Sequence, residues 1–520
     1  MAEQSPAFSA KSAQTARELV RVLSDAGLSA DSIAAHLGPD ATEALYRGEP
    51  GAVLAACDDS RLSGLIRFFL LRQPASAEQL ADLLTSRLAL ALIDASLATT
   101  TPSGDVEVVV DVRPHIIAGA DRFVFSDRDA SVTQHLPGPD HVLGVGAASL
   151  SLLSATPLTP VESVLDLGTG SGVQALAQAG CADKVVATDV HPRALEFAQL
   201  TLAGAEIANV DIREGSWFEP VTGETFDRIV ANPPFVVGLP EVGHVYRDSG
   251  LDLDGASELV ISHLPDHLAE NGTAFVLGSW VHTADEPWER RVASWFPQTG
   301  VSAWVCQRDI VDPALYVSTW LKDESIDPRS QAGIERTRQW LNHFKDHGVR
   351  AVGFGWIFIR EIGDAPSELT FETLDQPFTD PLGPEVEEYF TRMDWLRGSS
   401  QDDILNARYT LRPGVALEDI SVADTAAGMG FSPEVKRLTR TDGPRFTHDV
   451  DDAVAAIVAG LNPDGLPLRD IVSLWAAAKG LDDASEEELI AESAGIIVDL
   501  IRHGIVLPTD LISRHEPTRS

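Results

Sequence analysis

The chain has 520 residues, too many for one compact core and, at about 100–200 residues per domain, enough for three domains or four. Its 39 Lys and Arg face 78 Asp and Glu, a formal charge of −39 that disfavours general binding to nucleic acid or anionic membrane while leaving room for a local basic patch. Hydrophobic content of 44% with 7% aromatics is ordinary for a globular chain, and no stretch approaches the ~20 apolar residues that span a bilayer.

Met1 to Gln14 is polar and lacks the basic-then-apolar order of a secretory signal. From Ser12 to about Thr99 the pattern is helical: Leu19, Val20, Val22 and Leu23 recur at helix spacing, as do Leu62, Leu65, Ile66, Phe69 and Leu70. The period then changes to that of strands, around Val106–Val110 and around Phe123–Phe125, with the turn-prone Ala118–Gly119–Ala120–Asp121 between them. Helices followed by a ribbon suit a winged-helix-like module. Without a run of Lys and Arg, partner docking or a structural role ranks ahead of DNA binding.

Between about Pro137 and Asp364 apolar strands alternate with helices. The strands read Val164–Leu167, Val185–Asp189, Val210–Arg213, Ile229–Ala231, Ala274–Leu277, Val301–Gln307 and Ala351–Ile359. That order predicts a doubly wound sheet with ligands at the carboxyl ends of its strands. A helix over 312–322 opens at Asp312–Pro313, and another runs through Gly333–Phe344. Beyond Asp364 the pattern is less regular, with Pro377, Pro381 and Pro384 in a connection and a strand-like piece at Ala407–Leu411. Helices are then predicted over Val450–Leu461, Leu468–Ala478 and Glu486–His503, followed by Ile505–Leu507, again a winged-helix-like order. Cys57, Cys181 and Cys306 are odd in number and isolated, so they fit a reducing compartment and offer neither a disulfide framework nor a paired-cysteine zinc site. A cytoplasmic protein with no metal site is expected.

Chemistry concentrates in Val164-Leu165-Asp166-Leu167-Gly168-Thr169-Gly170-Ser171-Gly172, an apolar strand that runs into three alternate glycines and then a helix. Glycine lets the backbone turn sharply and approach a ligand, and the helix start offers unpaired N–H groups. A nicotinamide or flavin site, or a turn without a ligand, fits this stretch too, although the usual dinucleotide spacing is G-x-G-x-x-G. The next strand, Val185-Val186-Ala187-Thr188-Asp189, ends in an acid that can accept from both hydroxyls of a ribose. His191, at the start of the following helix, reads as a cap or an exposed side chain.

The segment Ile229-Val230-Ala231-Asn232-Pro233-Pro234-Phe235 decides among these readings. From roughly Pro137 to Trp280 the chain resembles the class I S-adenosylmethionine methyltransferases that carry an (N/D)PP(F/Y) motif. Physical reasoning supports the match. A planar nitrogen with a delocalised lone pair must be held through its hydrogens, which the side-chain oxygen of Asn232 and the carbonyl of Pro233 can accept, while Phe235 stacks on the planar group. Pro233 and Pro234 stiffen the loop and preorganise those acceptors. The resemblance implies a Rossmann-like class I domain with a mostly parallel seven-stranded sheet and S-adenosyl-L-methionine as cofactor. It places Asp166, Gly168, Gly170 and Gly172 along the methionine part, Asp189 on the ribose, and Ser216 and Trp217 of Gly215-Ser216-Trp217-Phe218 at the adenine, with Asn232 also touching the cofactor. Ser216 stands where many members carry an acid, and Trp217 and Phe218 read equally as core residues.

Tyr246-Arg247-Asp248-Ser249-Gly250-Leu251-Asp252-Leu253-Asp254-Gly255 resembles the G-G-x-D-G stretch of HemK-type protein glutamine methyltransferases, with Ser249 at one glycine position and one additional residue before Asp254. RNA guanine and nucleic-acid adenine methyltransferases share the NPPF motif but usually lack this element. Together with the charge of −39, this ranks a protein glutamine amide ahead of an RNA or DNA amine, and both ahead of a non-catalytic binding platform. His135, Asp140 and His141 fall where the family closes over the cofactor and read as capping or surface residues, as does the loop residue Arg247. The expected organisation is an N-terminal winged-helix-like domain over 1–136, the methyltransferase domain over 137–364, and a C-terminal domain over 365–520 ending in a second winged-helix-like module.

Overall fold

Runs of aliphatic residues with both neighbours buried, such as Val164–Leu165, Val185–Val186–Ala187 and Ile229–Val230–Ala231, can only be satisfied in a sheet covered on both faces. In a computed structural model, which describes residues 8, 11–128, 138, 140–241, 248–323 and 326–512, they build the middle of an eight-stranded sheet. Its strands are β1 (Val161–Leu167), β2 (Ala182–Asp189), β3 (Val210–Glu214), β4 (Phe226–Ala231), β5 (Leu268–Thr283), β6 (Thr299–Val311), β7 (Val349–Pro366) and β8 (Glu368–Thr373). The spatial order is β8-β6-β7-β5-β4-β1-β2-β3. β1 to β5 are mutually parallel, β7 inserts antiparallel between β5 and β6, and β8 pairs parallel to β6.

All seven strands expected from the sequence lie in this sheet; β8 adds an eighth. The chain divides into two compact units, Met1–Thr373 and Leu374–Ser520. The expected boundary at 364–365 therefore needs correction: it falls inside β7, and β8 still belongs to the first unit because it extends the same sheet. The expected boundary at 136–137 lies outside the described residues.

The helices that matter for the site are α1 (Ala147–Ala155), α2 (Val173–Gln178), α3 (Pro192–Gly204), α4 (Gly255–His263), α5 (Trp288–Ala293), α6 (Pro313–Asp323) and α7 (Gln331–Asp346). Ahead of them, short helices from Ser12–Asp25 to Ser86–Asp94 lead into the strands Ala98–Thr100 and Val106–Val108, then into a hairpin of Asp111–Ile117 with Ala120–Ser126. Its turn has Ala118 and Gly119 at φ of 50° and 74°. The N-terminal segment shares one core with the α/β layer, since Leu19, Leu23, Phe123 and Phe125 pack in the same cluster as Ala194, Phe197 and Leu200 of α3. A buried ion pair fixes this junction: Asp127 accepts from Nε of Arg193 at 2.9 Å and from the backbone N–H of Val142 at 2.9 Å.

The second unit differs from the less regular chain expected there. A helix at Leu382–Arg397 is tied to the strand Phe431–Arg440 by Glu385, buried and held between Arg392 and Arg440, which keep its carboxyl below the usual range against the opposing effect of burial. That strand is central in a three-stranded antiparallel sheet with Val415–Ala423 and Thr447–Val450. The three expected C-terminal helices form at Asp452–Ala459, Leu468–Lys479 and Asp483–Arg502, and Val506–Pro508 pairs with Tyr409–Leu411. Among the described residues no helix is long and apolar enough to cross a membrane.

Removing Asp127 would leave the buried Arg193 guanidinium uncompensated and free the loop that begins at His141. Asp127→Ala should lower the unfolding free energy by about 3 kcal/mol, the scale for breaking a buried pair from one side, as measured by urea denaturation. Asp127→Asn, which keeps an acceptor, should cost less.

Candidate functional site

Strand register brings the site together. Leu167 of β1 pairs with Thr188 of β2 on one side and with Ala231 of β4 on the other, so Gly168, Asp189 and Asn232 leave the sheet side by side at its carboxyl edge. Asp189 in turn pairs with Glu214 of β3, which places Gly215 and Ser216 next in line. The chain order reverses between β1 and β4, the switch point where doubly wound sheets open a crevice. A cavity of about 370 Å³ lies there, within the range of small-molecule sites.

The β1–α2 loop crosses this edge with Gly168, Gly170 and Gly172 at φ of 75°, 55° and 84°, in the left-handed region that favours glycine. At Gly168 and Gly170 a Cβ would meet nothing within 4 Å, so these residues leave open space toward the cavity. At Gly172 it would come within 3.1 Å of Ala198 Cα, so this glycine serves the packing of α2 on α3.

Two carboxylates hold the loop. Asp166 is buried, and its Oδ2 accepts from the Thr169 hydroxyl at 2.6 Å and the Ala175 N–H at 2.9 Å. Burial pushes its carboxyl up to about 6, against those two hydrogen bonds and with a smaller contribution from the charge of Asp189. The Asp189 Oδ2 accepts from the Gly170 N–H at 3.0 Å, and its Oδ1 from the His191 N–H at 2.9 Å. Burial raises this carboxyl too, and those N–H groups oppose the rise.

Of the residues singled out from the sequence, Gly168, Gly170, Asp189, Ser216, Trp217, Asn232, Pro233 and Pro234 line the cavity. Asp166, Gly172 and Phe235 are absent from that lining: Asp166 and Gly172 brace the loop from behind, and the Phe235 carbonyl accepts from the Ser279 hydroxyl. Among the described residues no hydrogen bond occupies the Asn232 side chain, which stays available to a ligand. Trp217 both faces the cavity and packs on the core, at φ of 48°; Phe218 is core, its ring stacked 4.7 Å from that of His267.

Three more residues named from the sequence lie at the cavity. His141 is buried rather than superficial, and Asp140 and His141 both line the cavity. His191 sits at the N-cap of α3 without a side-chain cap bond; the residue lines the cavity, and its buried Nδ1 has no hydrogen-bond partner among the described residues. The same holds for the hydroxyl of Thr188. Sequence reasoning also passed over the wall Val142, Leu143, Gly144, Gly146, Ala148 and Ser149, for which the closely spaced glycines before α1 were the available signal. His135 and Arg247 lie outside the described residues.

On the opposite side of the cavity, the chain after Pro234 is fixed by side chains from elsewhere in the fold. The Val237 N–H donates to the Tyr316 hydroxyl at 2.8 Å, and Leu253 bridges back to Gly238. Asp254, the acid of the D-G segment, is buried at the start of α4; it receives both Nε and Nη2 of Arg291, at 2.8 and 2.6 Å, and the Val281 N–H at 3.0 Å. Asp248 and Ser249, just before it, line the cavity.

Residues 143–248 match the family described as methyltransferase small domain. Residues 25–109 and 387–508 match two families described as domains of unknown function, DUF7059 and DUF7782. A release factor glutamine methyltransferase of Aliivibrio fischeri is 37% identical over 137 residues, 24% of this chain and 46% of that protein. Its counterpart in Xylella fastidiosa is 46% identical over 132 residues, 22% of this chain and 46% of that protein. The chain thus spans about half the length of these curated relatives. A solved 16S rRNA methyltransferase of T. thermophilus with AdoMet and guanosine is 20% identical, with coverage of 38% of this chain and 53% of that one and a TM-score of 0.27.

The fold is thus that of the Rossmann-like class I methyltransferases, whose cofactor is S-adenosyl-L-methionine. More narrowly, residues 143–248 are similar to the methyltransferase small domain, and both sequence relatives are named release factor glutamine methyltransferases. The residues present fit that cofactor: a cradle kept open at Gly168 and Gly170, a carboxylate at the strand tip, and unpartnered polar atoms on Thr188 and His191.

Because the folded-state value of Asp166 is raised, the cost of ionising it is absent below about pH 4 and fully present above about pH 6. Asp166→Asn keeps an oxygen for Thr169 and Ala175 without that cost. Its thermal midpoint relative to wild type should therefore rise as pH increases from 4 to 7, by on the order of 2 kcal/mol in stability. A pH-independent difference between the two proteins would refute a buried, reluctantly ionised Asp166.

Proposed function

We propose that this protein is an S-adenosylmethionine-dependent N-methyltransferase whose acceptor is a glutamine side-chain amide of a protein. The observation that carries the proposal is that the Asn232-Pro233-Pro234 turn opens onto the same cavity as the Gly168–Gly170 loop and Asp189. Donor and acceptor can then meet across one edge of the sheet, the arrangement a direct group transfer needs.

In this reading Asp189 accepts from the ribose hydroxyls, the backbone at Gly168 and Gly170 follows the methionine portion, and Ser216 and Trp217 flank the adenine. Asp166 and Gly172 are positioning residues, acting through the loop they hold. The cofactor, when bound, supplies a methyl group on a positively charged sulfur. This chain's part is to present the nitrogen: the Asn232 side-chain oxygen and the Pro233 carbonyl each accept one amide hydrogen, which turns the lone pair toward the donor. Phe235, anchored through its carbonyl by Ser279, stacks on the planar amide. No strong base is required: as the nitrogen–carbon bond forms and the carbon–sulfur bond breaks, the nitrogen becomes acidic and gives up one proton to water.

A protein acceptor is supported by the names of the sequence relatives, by the buried Asp254 of the D-G segment, and by a charge of −39 that would weaken contact with phosphates. The test is transfer of labelled methyl groups to lysate fractions treated separately with protease and nuclease. Label should survive nuclease and vanish with protease; the reverse pattern would assign a nucleic-acid acceptor. Asn232→Ala should lower kcat/KM by about 100-fold or more, and unchanged transfer would remove Asn232 from the chemistry. Asp189→Ala should weaken S-adenosylmethionine binding in calorimetry by about 100-fold, as expected for two charge-assisted hydrogen bonds.

A further inference from the structure

Beyond the cavity, the segment that leads to Asp254 meets the end of α7, and three metal-ligating side chains converge there. Asp252 Oδ1 lies 2.7 Å from Nε2 of His343, and Asp252 Oδ2 lies 3.6 Å from Nε2 of His347. The two imidazole rings are 4.4 Å apart between centroids, and one ligand atom from each residue lies within 4.8 Å of the others. We propose that Asp252, His343 and His347 bind a divalent transition-metal ion, with Zn²⁺ the best match to the donor set.

The spacing fits. A tetrahedral ion with bonds of about 2.1 Å keeps its ligand atoms about 3.4 Å apart, between the two separations seen here. Two histidines at i and i+4 present their rings on one helix face, the pattern by which a helix offers two nitrogens to one zinc. An Asp–His hydrogen bond accounts for His343 by itself; it does not account for a second ring brought to the other oxygen of the same carboxylate.

Protonation favours the same conclusion. The His347 Nδ1 lies 2.9 Å from the His343 carbonyl, so it carries the hydrogen and donates, which leaves Nε2 with its lone pair toward Asp252. For His343 the metal takes the place of the proton shared with Asp252, and in the neutral ring that proton moves to Nδ1. The site is at the C-terminal end of α7, where unpaired carbonyls favour a cation. With Asp252 and His347 about half exposed and His343 only 15% exposed, an ion can enter and keep water at its remaining position.

Both halves of the site are held in place without the ion. Leu253, next to Asp252, is buried at φ of 49°, and its backbone N–H donates to the Gly238 carbonyl at 3.1 Å. Asp254, one residue further, is clamped by Arg291. On α7, Trp340 and Phe344 pack in the same apolar cluster as Leu253 and Tyr316. The ligands therefore come preorganised, 91 residues apart in sequence. A bound ion would pin the acceptor-side segment to α7.

The test uses the full untagged chain, stripped with EDTA and dialysed, and reads metal binding rather than methyl transfer, so its failure is distinct from failure of the proposed activity. Zn²⁺ titrated in a calorimeter should bind at one site per chain, at least tenfold tighter than to the His343→Gln/His347→Gln double variant. Zn²⁺ should raise the Tm of wild type but not of that variant, and Co²⁺ should give a visible absorption band only with wild type. His347→Ala, altering a side chain in partial contact with solvent, is the second variant and should also bind more weakly. Equal affinity and stoichiometry in wild type and both variants, or no Zn²⁺ uptake by wild type, would overturn the site.

Discussion

The β1–α2 loop is stretched between two carboxylates, and the geometry of the site depends on that. Asp166 takes the Thr169 hydroxyl and the Ala175 N–H from inside the protein, while Asp189 takes the Gly170 N–H from the neighbouring strand. Parallel pairing puts the two acids on adjacent strand tips, where burial raises both carboxyls and the charge of Asp189 adds a smaller rise to Asp166. Only Asp189 faces the cavity. The division of labour follows from burial: the enclosed acid spends its lone pairs on the protein, and the outer one retains some for a ligand.

On the other side of the crevice the restraint works differently. The Asn-Pro-Pro turn is stiffened by its own rings, but the chain that follows it is fixed by side chains drawn from distant elements: Ser279 on Phe235, Tyr316 on Val237, Arg291 on Asp254. The Asp254–Arg291 pair has one wholly buried member and one partly exposed, and Asp254 also caps the Val281 N–H, so it joins the post-motif segment to β5 rather than merely decorating the surface. Short-range stiffness and long-range anchoring meet at Phe235.

Most of the sheet was legible from apolar runs, because strands covered on both faces cannot hide their composition. β8 was not: Glu368-Leu369-Thr370-Phe371-Glu372-Thr373 alternates at an edge and follows closely on Pro366. The sheet over 415–450 escaped for a related reason, since most of its side chains are exposed or half-exposed and leave no apolar stripe to read. At the site, the glycines, Asp189 and the Asn-Pro-Pro turn could be read because the chemistry demands those residue types at fixed places in the fold. Asp166 reads the same way in sequence, yet its role as an internal brace depends on depth below the surface, which spacing does not encode. His141 and His191 flank the Asp127–Arg193 junction, and the meeting of Asp252 with His343 and His347 follows from the packing of Trp340 and Phe344; both are tertiary facts that spacing along the chain does not encode.

The order of the strands has one more consequence. Every residue lining the cofactor side, from Asp140 to Trp217, comes from an unbroken stretch of chain that is complete before Asn232 is reached. The opposite wall and its supports are assembled afterwards, from β4, the segment before α4, and α5 to α7. Insertions in that later half can lengthen β6 and β7, add α6 and α7, or append β8 without altering a single hydrogen bond in the loop at Gly168–Gly172. One wall of the crevice can therefore vary in this architecture while the glycine-loop wall stays as it is.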